Sequence, residues 1–571
     1  MAKTTTNDRL TAVYCGFLIV LMALWARCAW LQVVGRGRLA RIADAQHWTS
    51  RPIVAARGAM LDRAGRILAI SARAPSVLAV AKGMNAKDRT AQRVAQVLGS
   101  DPKAIRRRLA KEKRFVWVAR QVSPEFEAPL IQMRRDGIGI VEEGKRLYPQ
   151  GQLAAHLLGF VNVDQRGLEG LELAYDGVLR GRKGWISTLR DAKGDQLVGP
   201  WTARVQPTPG DNLVLTIDSV VQAAAEDALS WGIGQFHAKG GTVIVMDPPT
   251  GEVLAIANYP EYDPNQPGRL KADTRRLRAI TDLFEPGSVF KVVTAAALLE
   301  EGLVTPDERV FCEEGSFATI GHHILHDHRP HGWLTFHEVV QYSSNIGTAK
   351  MAQRLSPEQL YSYIRAFGFG QKTGIEFPGE VSGIIPPPAK WSKLSPYIIP
   401  IGQEVATTPI QLAVMMSVIA NGGYRVYPSV VREVQTSDGV LIRSSSRPAP
   451  LRILHPETVE KLSPMLVSVV ESGTGQLAKV QGLTVAGKTG TAQKLEPNGH
   501  YSHSRFVASF VGYGPVPDPR FVIVVSLDEP HPLYFGGTVS APIFARVVER
   551  LSSYWGLKAP GPAPLMAKSD D

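Results

Sequence analysis

The stretch from Leu10 to Ala26 (LTAVYCGFLIVLMALWA) contains no charged residue, and apolar character resumes after Arg27 from Cys28 to Val34. That length suits one membrane-spanning helix over residues 10–34, with Trp25 and Trp30 near one interface. A cleaved signal peptide is the alternative. Its apolar core would be shorter, and no small-x-small site clearly follows the run, so an uncleaved anchor is expected. Charge opposes an outward-facing remainder. Lys3 and Arg9 precede the span, whereas Arg27, Arg36, Arg38 and Arg41 follow it.

The other 537 or so residues, by the length rule of roughly 100–200 per domain, call for two or three domains. A hydrophobic fraction of 44% with 20% charged residues belongs to a folding chain. The net charge of +12 favours an anionic neighbour. Zinc-finger spacing, RNP-like stretches and basic zippers are lacking, which argues against nucleic acid. Cys15, Cys28 and Cys312 form no disulfide framework.

Residues 35–205 read as a mixed, β-containing region. Ser76 to Val80 is β-like, and a basic stretch runs from Lys103 to Arg114 (KAIRRRLAKEKR), whose plain reading is a solvated helix face. Residues 206–558 carry longer elements. Asp218 is placed to cap a helix, Thr242 to Met246 and Val253 to Ala257 form a hairpin, and helices follow near 290–301, 335–355, 408–420 and 456–472. Strands near 483–487, 505–513 and 521–527 precede a closing helix at 541–555. Helices between N- and C-terminal strands indicate an α/β domain whose sheet is flanked by helices. The tail 559–571 (APGPAPLMAKSDD) is expected to be disordered.

Three motifs occur in order within 206–558. In Ser288-Val-Phe-Lys291, Pro286-Gly287 breaks the preceding segment and a helix follows, so Ser288 falls in its first turn. Positions i and i+3 share a face, placing the Lys291 amine beside the Ser288 hydroxyl. A serine needs a base to become a nucleophile, and a neutral lysine is one. Ser343-Ser344-Asn345 interrupts a helical pattern and presents a hydroxyl and an amide from one tight turn. Lys488-Thr489-Gly490 ends a β-branched run; Lys488 and Gly490 share a strand face, and Gly490 leaves room for an extended substrate backbone. Singly these motifs are weak, whereas their ordered combination is recorded for class A β-lactamases and penicillin-binding proteins.

With these motifs the chain resembles the class B penicillin-binding proteins, specifically the division-specific septal transpeptidases. Arg57-Gly58-Ala-Met-Leu-Asp62-Arg63-Ala-Gly65, Arg146-Leu-Tyr148-Pro149-Gln-Gly151 and Gly167-Leu-Glu169-Gly170 resemble that family's pedestal boxes. Residues 246–265, 401–413 and 536–544 also read like family segments. The resemblance implies a penicillin-binding transpeptidase fold on a dimerisation-type pedestal, with the catalytic domain outside the cell membrane despite the charge rule. It implies that Ser288 attacks the carbonyl between two D-alanines of a stem peptide and that Lys291 is the base. Ser343 would shuttle the proton and Asn345 bind the peptide and Lys291. Lys488 and Thr489 would hold the substrate carboxylate, and the N–H groups of Ser288 and Thr491 would form the oxyanion hole. Lys291 would be neutral through burial beside Lys488. Implied partners are peptidoglycan stem peptides or their lipid-linked precursor, β-lactams, and division-complex membrane proteins, including a lipid II glycosyltransferase of the shape, elongation, division and sporulation family. No cofactor is implied. Elongation-type relatives commonly carry Asp where this chain has Asn345, which favours the division enzyme.

Rival signals are weaker. Gly482 to Thr489 satisfies the phosphate-loop pattern, but Gly490, Pro497 and Gly499 interrupt the helix that must follow. His322, His323, His326, His328 and His331 with Cys312 and Asp327 resemble a loose metal site, though a polar loop beside a cleft is the plainer reading and no metal is assigned. His337-Glu338 lacks the second histidine of a zincin. Glu404 and Asp528 have no assigned role. A silent scaffold would be free to lose Lys291 or Lys488, and a penicillin sensor would need a signalling domain where only residues 1–9 precede the span.

Overall fold

An uncharged run gains most by closing its backbone bonds internally, and the N-terminal segment does so as a helix over Thr4–Ala29 that continues as a wider turn over Trp30–Val34. It is one helix long and apolar enough to cross a membrane, with a mean hydropathy of 2.0. The computed structural model describes residues 4–39, 48–81, 84, 86–111, 115–190, 196–197, 202–269, 271–319, 323–496 and 499–557. The Pro/Ala-rich tail from Ala559, His322, and Glu112 to Arg114 of the basic stretch lie outside the described residues.

The chain forms two compact units, one of Met1–Ala56 with Gly181–Pro209 and one of Arg57–Arg180 with Gly210–Asp571. In the first, Trp48–Ile53 pairs antiparallel with Gly184–Arg190, which also pairs with Gln196–Leu197 and Ala203–Val205. In the second, residues 57–180 share one body with everything from 210 onward.

What joins those regions is a sheet and a buried ionic cluster. Met60–Leu61 runs parallel to Asn212–Leu215 and antiparallel to Ile67–Ala79, which pairs in turn with Ile138–Leu147. Asn212–Leu215 pairs on its other side with Val431–Gln435. Beside this sheet the Glu172 carboxylate accepts from Arg57 Nε at 2.6 Å, Arg146 Nε at 2.7 Å and the Tyr148 hydroxyl at 3.3 Å. Arg57 also reaches Asp176 at 2.6 Å, and Arg146 donates to the Gly58 carbonyl at 2.7 Å. The Arg57, Arg146 and Glu172 side chains are 1%, 1% and 0% exposed, so the carboxylate has exchanged water for two guanidinium groups. Asp62 accepts from the N–H groups of Ala64 and Arg66 and from Ser219 Oγ at 2.8 Å. The first two pedestal boxes are thus a buried hydrogen-bonded frame.

The basic stretch forms a helix, Pro102–Leu109, capped by Asp101, which accepts from Lys103 N at 2.9 Å. Ile105 and Leu109 pack with Val94, Val118 and Leu130, while Arg106 and Arg107 face outward. This is the solvated-face arrangement.

The large α/β layer is built on five antiparallel strands: β1 (Gly240–Met246), β2 (Val253–Tyr259), β3 (Ala486–Leu495), β4 (Tyr501–Gly514) and β5 (Phe521–Asp528), in the order β2-β1-β5-β4-β3. Because strand side chains alternate, Val243, Val245, Ile523 and Val525 join one core with helices α1 (Ser219–Phe236) and α7 (Ala541–Trp555). Ile244, Met246, Val522 and Val524 join the other, with α2 (Lys291–Glu300), α5 (Pro409–Ala420) and α6 (Pro456–Glu471). Asp218 caps α1 by accepting from Val220 N at 3.0 Å.

One strand differs from expectation. Strand structure was expected at 483–487, yet β3 spans Ala486–Leu495 and includes all of Lys488-Thr489-Gly490. The partner strand supplies the reason, since Lys488 faces Val511, Gly490 faces Ser509 and Thr491 faces Ala508 across a continuous ladder. Ladder pairing overrides the weak strand preference of Gly and Lys. The end of the phosphate-loop pattern, Ala486 to Thr489, therefore lies in a strand that runs on to Leu495, not at the start of a helix.

Glu172→Ala leaves the buried Arg146 guanidinium without its carboxylate and Arg57 with Asp176 alone. The variant is expected to lose about 3–5 kcal/mol of stability, read by denaturant unfolding of the detergent-solubilised chain.

Candidate active site

Ser288 lies on a single 3₁₀ turn, Gly287–Phe290, that leads directly into α2 at Lys291. Residues three apart eclipse on such a turn, which puts Ser288 and Lys291 on one side. Val289 and Phe290 are buried beneath it and Ser288 is half-buried. The turn is wedged between two backbones. Gly287 has φ +53°, and a Cβ there would lie 2.9 Å from the Thr491 carbonyl oxygen. Its N–H donates to the Gly402 carbonyl at 3.1 Å, and a Cβ on Gly402 would lie 2.1 Å from the Gly287 carbonyl oxygen. Only glycine fits either position.

Helix α3 (Phe336–Tyr342) ends at Ser343, which takes the left-handed conformation (φ +61°, ψ 39°), and Ser344 caps α4 (Asn345–Ala352) by accepting from Gly347 N at 2.9 Å. A non-glycine residue pays of order 1–2 kcal/mol for that conformation. Here it turns both the carbonyl and the hydroxyl of Ser343 toward Lys291.

The Lys291 amine donates to the Ser343 carbonyl at 2.6 Å and to Asn345 Oδ1 at 2.7 Å, and lies 3.3 Å from Ser343 Oγ. The Lys488 amine donates to the same Ser343 Oγ at 2.8 Å and to the Thr489 carbonyl at 3.4 Å. Lys291 is 2% exposed and Lys488 0%. Burial holds Lys291 down to about 7, against the opposing pull of Asp327 and of Cys312. Lys488 falls well below the usual lysine range, first through burial and then through repulsion by Lys291. Burial was expected to share this work with the neighbouring cation. For Lys291 it dominates, and the repulsion falls on Lys488. A neutral Lys291 has two hydrogens for its two carbonyl-type acceptors, which leaves its lone pair for a hydroxyl.

The structure brings Lys291, Ser343, Asn345 and Lys488 into one hydrogen-bonded cluster and sets the Ser288 turn against Thr491. Two details depart from expectation. Lys291 bonds Asn345 as the resemblance implies, and Ser343, but among the described residues the Ser288 hydroxyl has no hydrogen-bond partner. Catalytic contacts commonly tighten only when substrate is bound. Gly490 is small for another reason than the one expected. A Cβ there would lie 2.4 Å from Ser509 Oγ, 2.7 Å from Val289 Cγ2 and 3.0 Å from the Pro286 carbonyl, so the space is filled by the Ser288 turn and by β4. Thr489 Oγ1 is 2.8 Å from Thr474 Oγ1, and Thr491 Oγ1 accepts from Gly536 N at 3.0 Å.

Several supporting residues were missed or unassigned. Asp327 accepts from Asn345 N at 2.5 Å, Ile346 N at 3.0 Å and Ser344 Oγ at 2.6 Å. Glu404, with φ +59°, accepts from Ser395 Oγ at 2.5 Å, and its N–H donates to Glu285 at 2.9 Å. Asp528 pairs with Lys494 at 2.7 Å. All are contacts between distant segments that leave no local pattern. Among the described residues no group of three or more His, Cys, Asp or Glu side chains is placed to hold a metal ion. His326 bonds Ser316 Oγ at 3.1 Å, His331 stacks on Tyr342, and His328 packs on Phe535.

Comparisons with known proteins match most of the chain. The family profile for the penicillin binding protein transpeptidase domain matches residues 241–549, and that for the penicillin-binding protein dimerisation domain matches 52–215. The chain is 33% identical to the probable peptidoglycan D,D-transpeptidase PenA of Neisseria gonorrhoeae, covering 95% of this chain and 92% of that one. It is 32% identical to the peptidoglycan D,D-transpeptidase FtsI of Escherichia coli K12, covering 94% and 90%. Among solved structures, penicillin binding protein 3 of Mycobacterium tuberculosis in complex with aztreonam aligns with a TM-score of 0.70 at 30% identity, covering 90% of this chain and 98% of that one.

Gly402→Ala adds a methyl against the Gly287 carbonyl at a positive φ. It is expected to destabilise the chain by about 1–3 kcal/mol, seen as a lowered midpoint in denaturant unfolding.

Proposed function

The chain belongs to the class B penicillin-binding proteins of the penicillin-binding protein 3 type, serine-type peptidoglycan D,D-transpeptidases, and we propose that Ser288 is its acyl-carrying nucleophile. The observation that carries this assignment is the Lys291 amine, buried at the start of the Ser288 helix and held by Ser343 and Asn345 with its affinity for protons lowered to about 7.

In this proposal Ser288 Oγ forms a bond to the carbonyl carbon between two D-alanines while its proton passes to Lys291. The N–H groups of Ser288 and Thr491 receive the developing oxyanion. The carbon–nitrogen bond then breaks, and the departing D-alanine amine takes its proton through Ser343, whose hydroxyl lies in reach of both lysine amines. In the second half an amine from a neighbouring stem peptide attacks the ester carbonyl. The Ser288 ester bond breaks, and the amine's proton returns to Ser288 by way of Lys291. Lys488 and Thr489 bind the substrate carboxylate. A β-lactam follows the first half alone, because the nitrogen freed by ring opening stays tethered and obstructs the acceptor.

We assign the chemistry to residues 206–558, the pedestal to 35–205 and the anchor to 10–34, with the catalytic domain outside the membrane at the division septum. The proposed partners are nascent peptidoglycan and division-complex membrane proteins, including a lipid II glycosyltransferase. Asn345, rather than Asp, supports the division role.

Fluorescent penicillin is expected to label the full-length chain covalently, and Ser288→Ala to abolish labelling. Lys291→Ala should slow acylation by roughly 10²–10⁴-fold. The base must be neutral, so the wild-type rate should rise with pH through about 7 and level off above it. Absence of wild-type labelling, or labelling that survives Ser288→Ala, would sink the assignment.

A further inference from the structure

The three sequence motifs leave one part of the cluster without a support. Asn345 holds Lys291, but it stands at the first position of α4 just after an abrupt turn, and something must fix it there. That support comes from residues 326–327, a segment outside all three motifs. Asp327 spends both carboxylate oxygens on the turn, with Oδ1 accepting from Asn345 N at 2.5 Å and Ile346 N at 3.0 Å, and Oδ2 accepting from Ser344 Oγ at 2.6 Å. The preceding carbonyl, of His326, accepts from Asn345 Nδ2 at 2.8 Å, which leaves Asn345 Oδ1 directed at Lys291. The amide is therefore oriented from three sides.

We propose that Asp327 is a positioning residue for acylation: it fixes Ser344 and Asn345 so that Asn345 presents its carbonyl oxygen to Lys291, and it supplies the negative charge that faces the Lys291 amine. The proposal rests on Lys291 acting as the base for Ser288.

The charge matters because the groups around Lys291 pull in opposite directions. From β3, Lys488 is a second amine; from the loop before α3, Cys312 contributes a thiol and Asp327 a carboxylate. From α4, Lys350 is engaged by the Phe311 carbonyl at 2.8 Å and by Glu313, so its charge is largely answered locally. Burial drives Lys291 toward its neutral form, and the Asp327 carboxylate pulls against it more strongly than Cys312 does. Without Asp327 the amine would be neutral to a lower pH, and as a weaker base it would take the Ser288 proton less readily. The carboxylate thereby matches the base to neutral pH.

Asp327→Asn separates charge from geometry. The amide oxygen retains the two backbone N–H bonds, and its NH₂ donates to Ser344 Oγ, whose own hydrogen turns to Cys312 Sγ, 3.5 Å away. In penicillin acylation of the full-length chain across pH 5–9, D327N is expected to move the acid limb to lower pH by roughly one unit. The fraction of neutral Lys291 at pH 6 then rises about fivefold while the high-pH plateau falls. D327E, which keeps the charge on a longer arm, should leave the limb in place and lower the plateau. A D327N profile whose acid limb coincides with wild type overturns the proposal, and so does a shifted limb in D327E. Failure of the Ser288 assignment is separately visible as labelling that persists in Ser288→Ala.

Discussion

Two amines buried against one hydroxyl oxygen set the terms for the catalytic unit. Both amines, of Lys291 and Lys488, lie on Ser343 Oγ, at 3.3 and 2.8 Å, so they are at most about 6 Å apart. If both were charged their repulsion would cost roughly 3 kcal/mol even at an effective dielectric of 20, on top of the loss of hydration. The fold answers with carbonyl-type acceptors, Ser343 O and Asn345 Oδ1 for one lysine and Thr489 O for the other, and with the carboxylate of Asp327 behind them. None of these acceptors can move without altering the charge balance. That explains why the Ser343 turn is held in an unfavourable backbone conformation, capped on one side and anchored by Asp327 on the other.

The second constraint is closeness of backbones. Ser288 sits where three chain segments meet, and each meeting point is a glycine: Gly287 on Gly402, Gly490 on the Pro286 carbonyl, and Gly536 on the carbonyls of Gly490 and Ser509, where a Cβ would lie 2.2 Å from each oxygen. Without a side chain on these glycines, the Ser288 turn, β3 and the 401–404 loop approach within main-chain contact, with Val289 and Ser509 filling the space beside Gly490. Such contact leaves little room for the turn to shift relative to the strand.

Sequence pattern revealed the parts of the site that are local. Ser288 and Lys291 share a turn, Ser343 and Asn345 flank one connection, and the alternation in β1 and β5 names the two faces of the sheet. What it concealed is non-local. Strand β3 extends beyond its β-branched segment because β4 pairs with it, and Gly490 faces the Ser288 turn that a linear reading cannot place there. Glu172 lies outside the quoted pedestal boxes although two box arginines converge on it, and Asp327 looked like one more residue in a histidine-rich loop. In each case the partner is many residues away, and composition carries no trace of the pairing.

The strand Asn212–Leu215 carries a consequence of its own. It is hydrogen-bonded on one side by Met60–Leu61 and on the other by Val431–Gln435, so its neighbours come from segments far before and far after it in the chain. During synthesis the ladder stays incomplete until more than half of the catalytic region has emerged, and closure over such sequence distances is slow. A catalytic fragment cut free at the pedestal junction would retain its chemistry on paper. It would also expose one flank of Asn212–Leu215, a ready template for intermolecular pairing that Met60–Leu61 otherwise occupies.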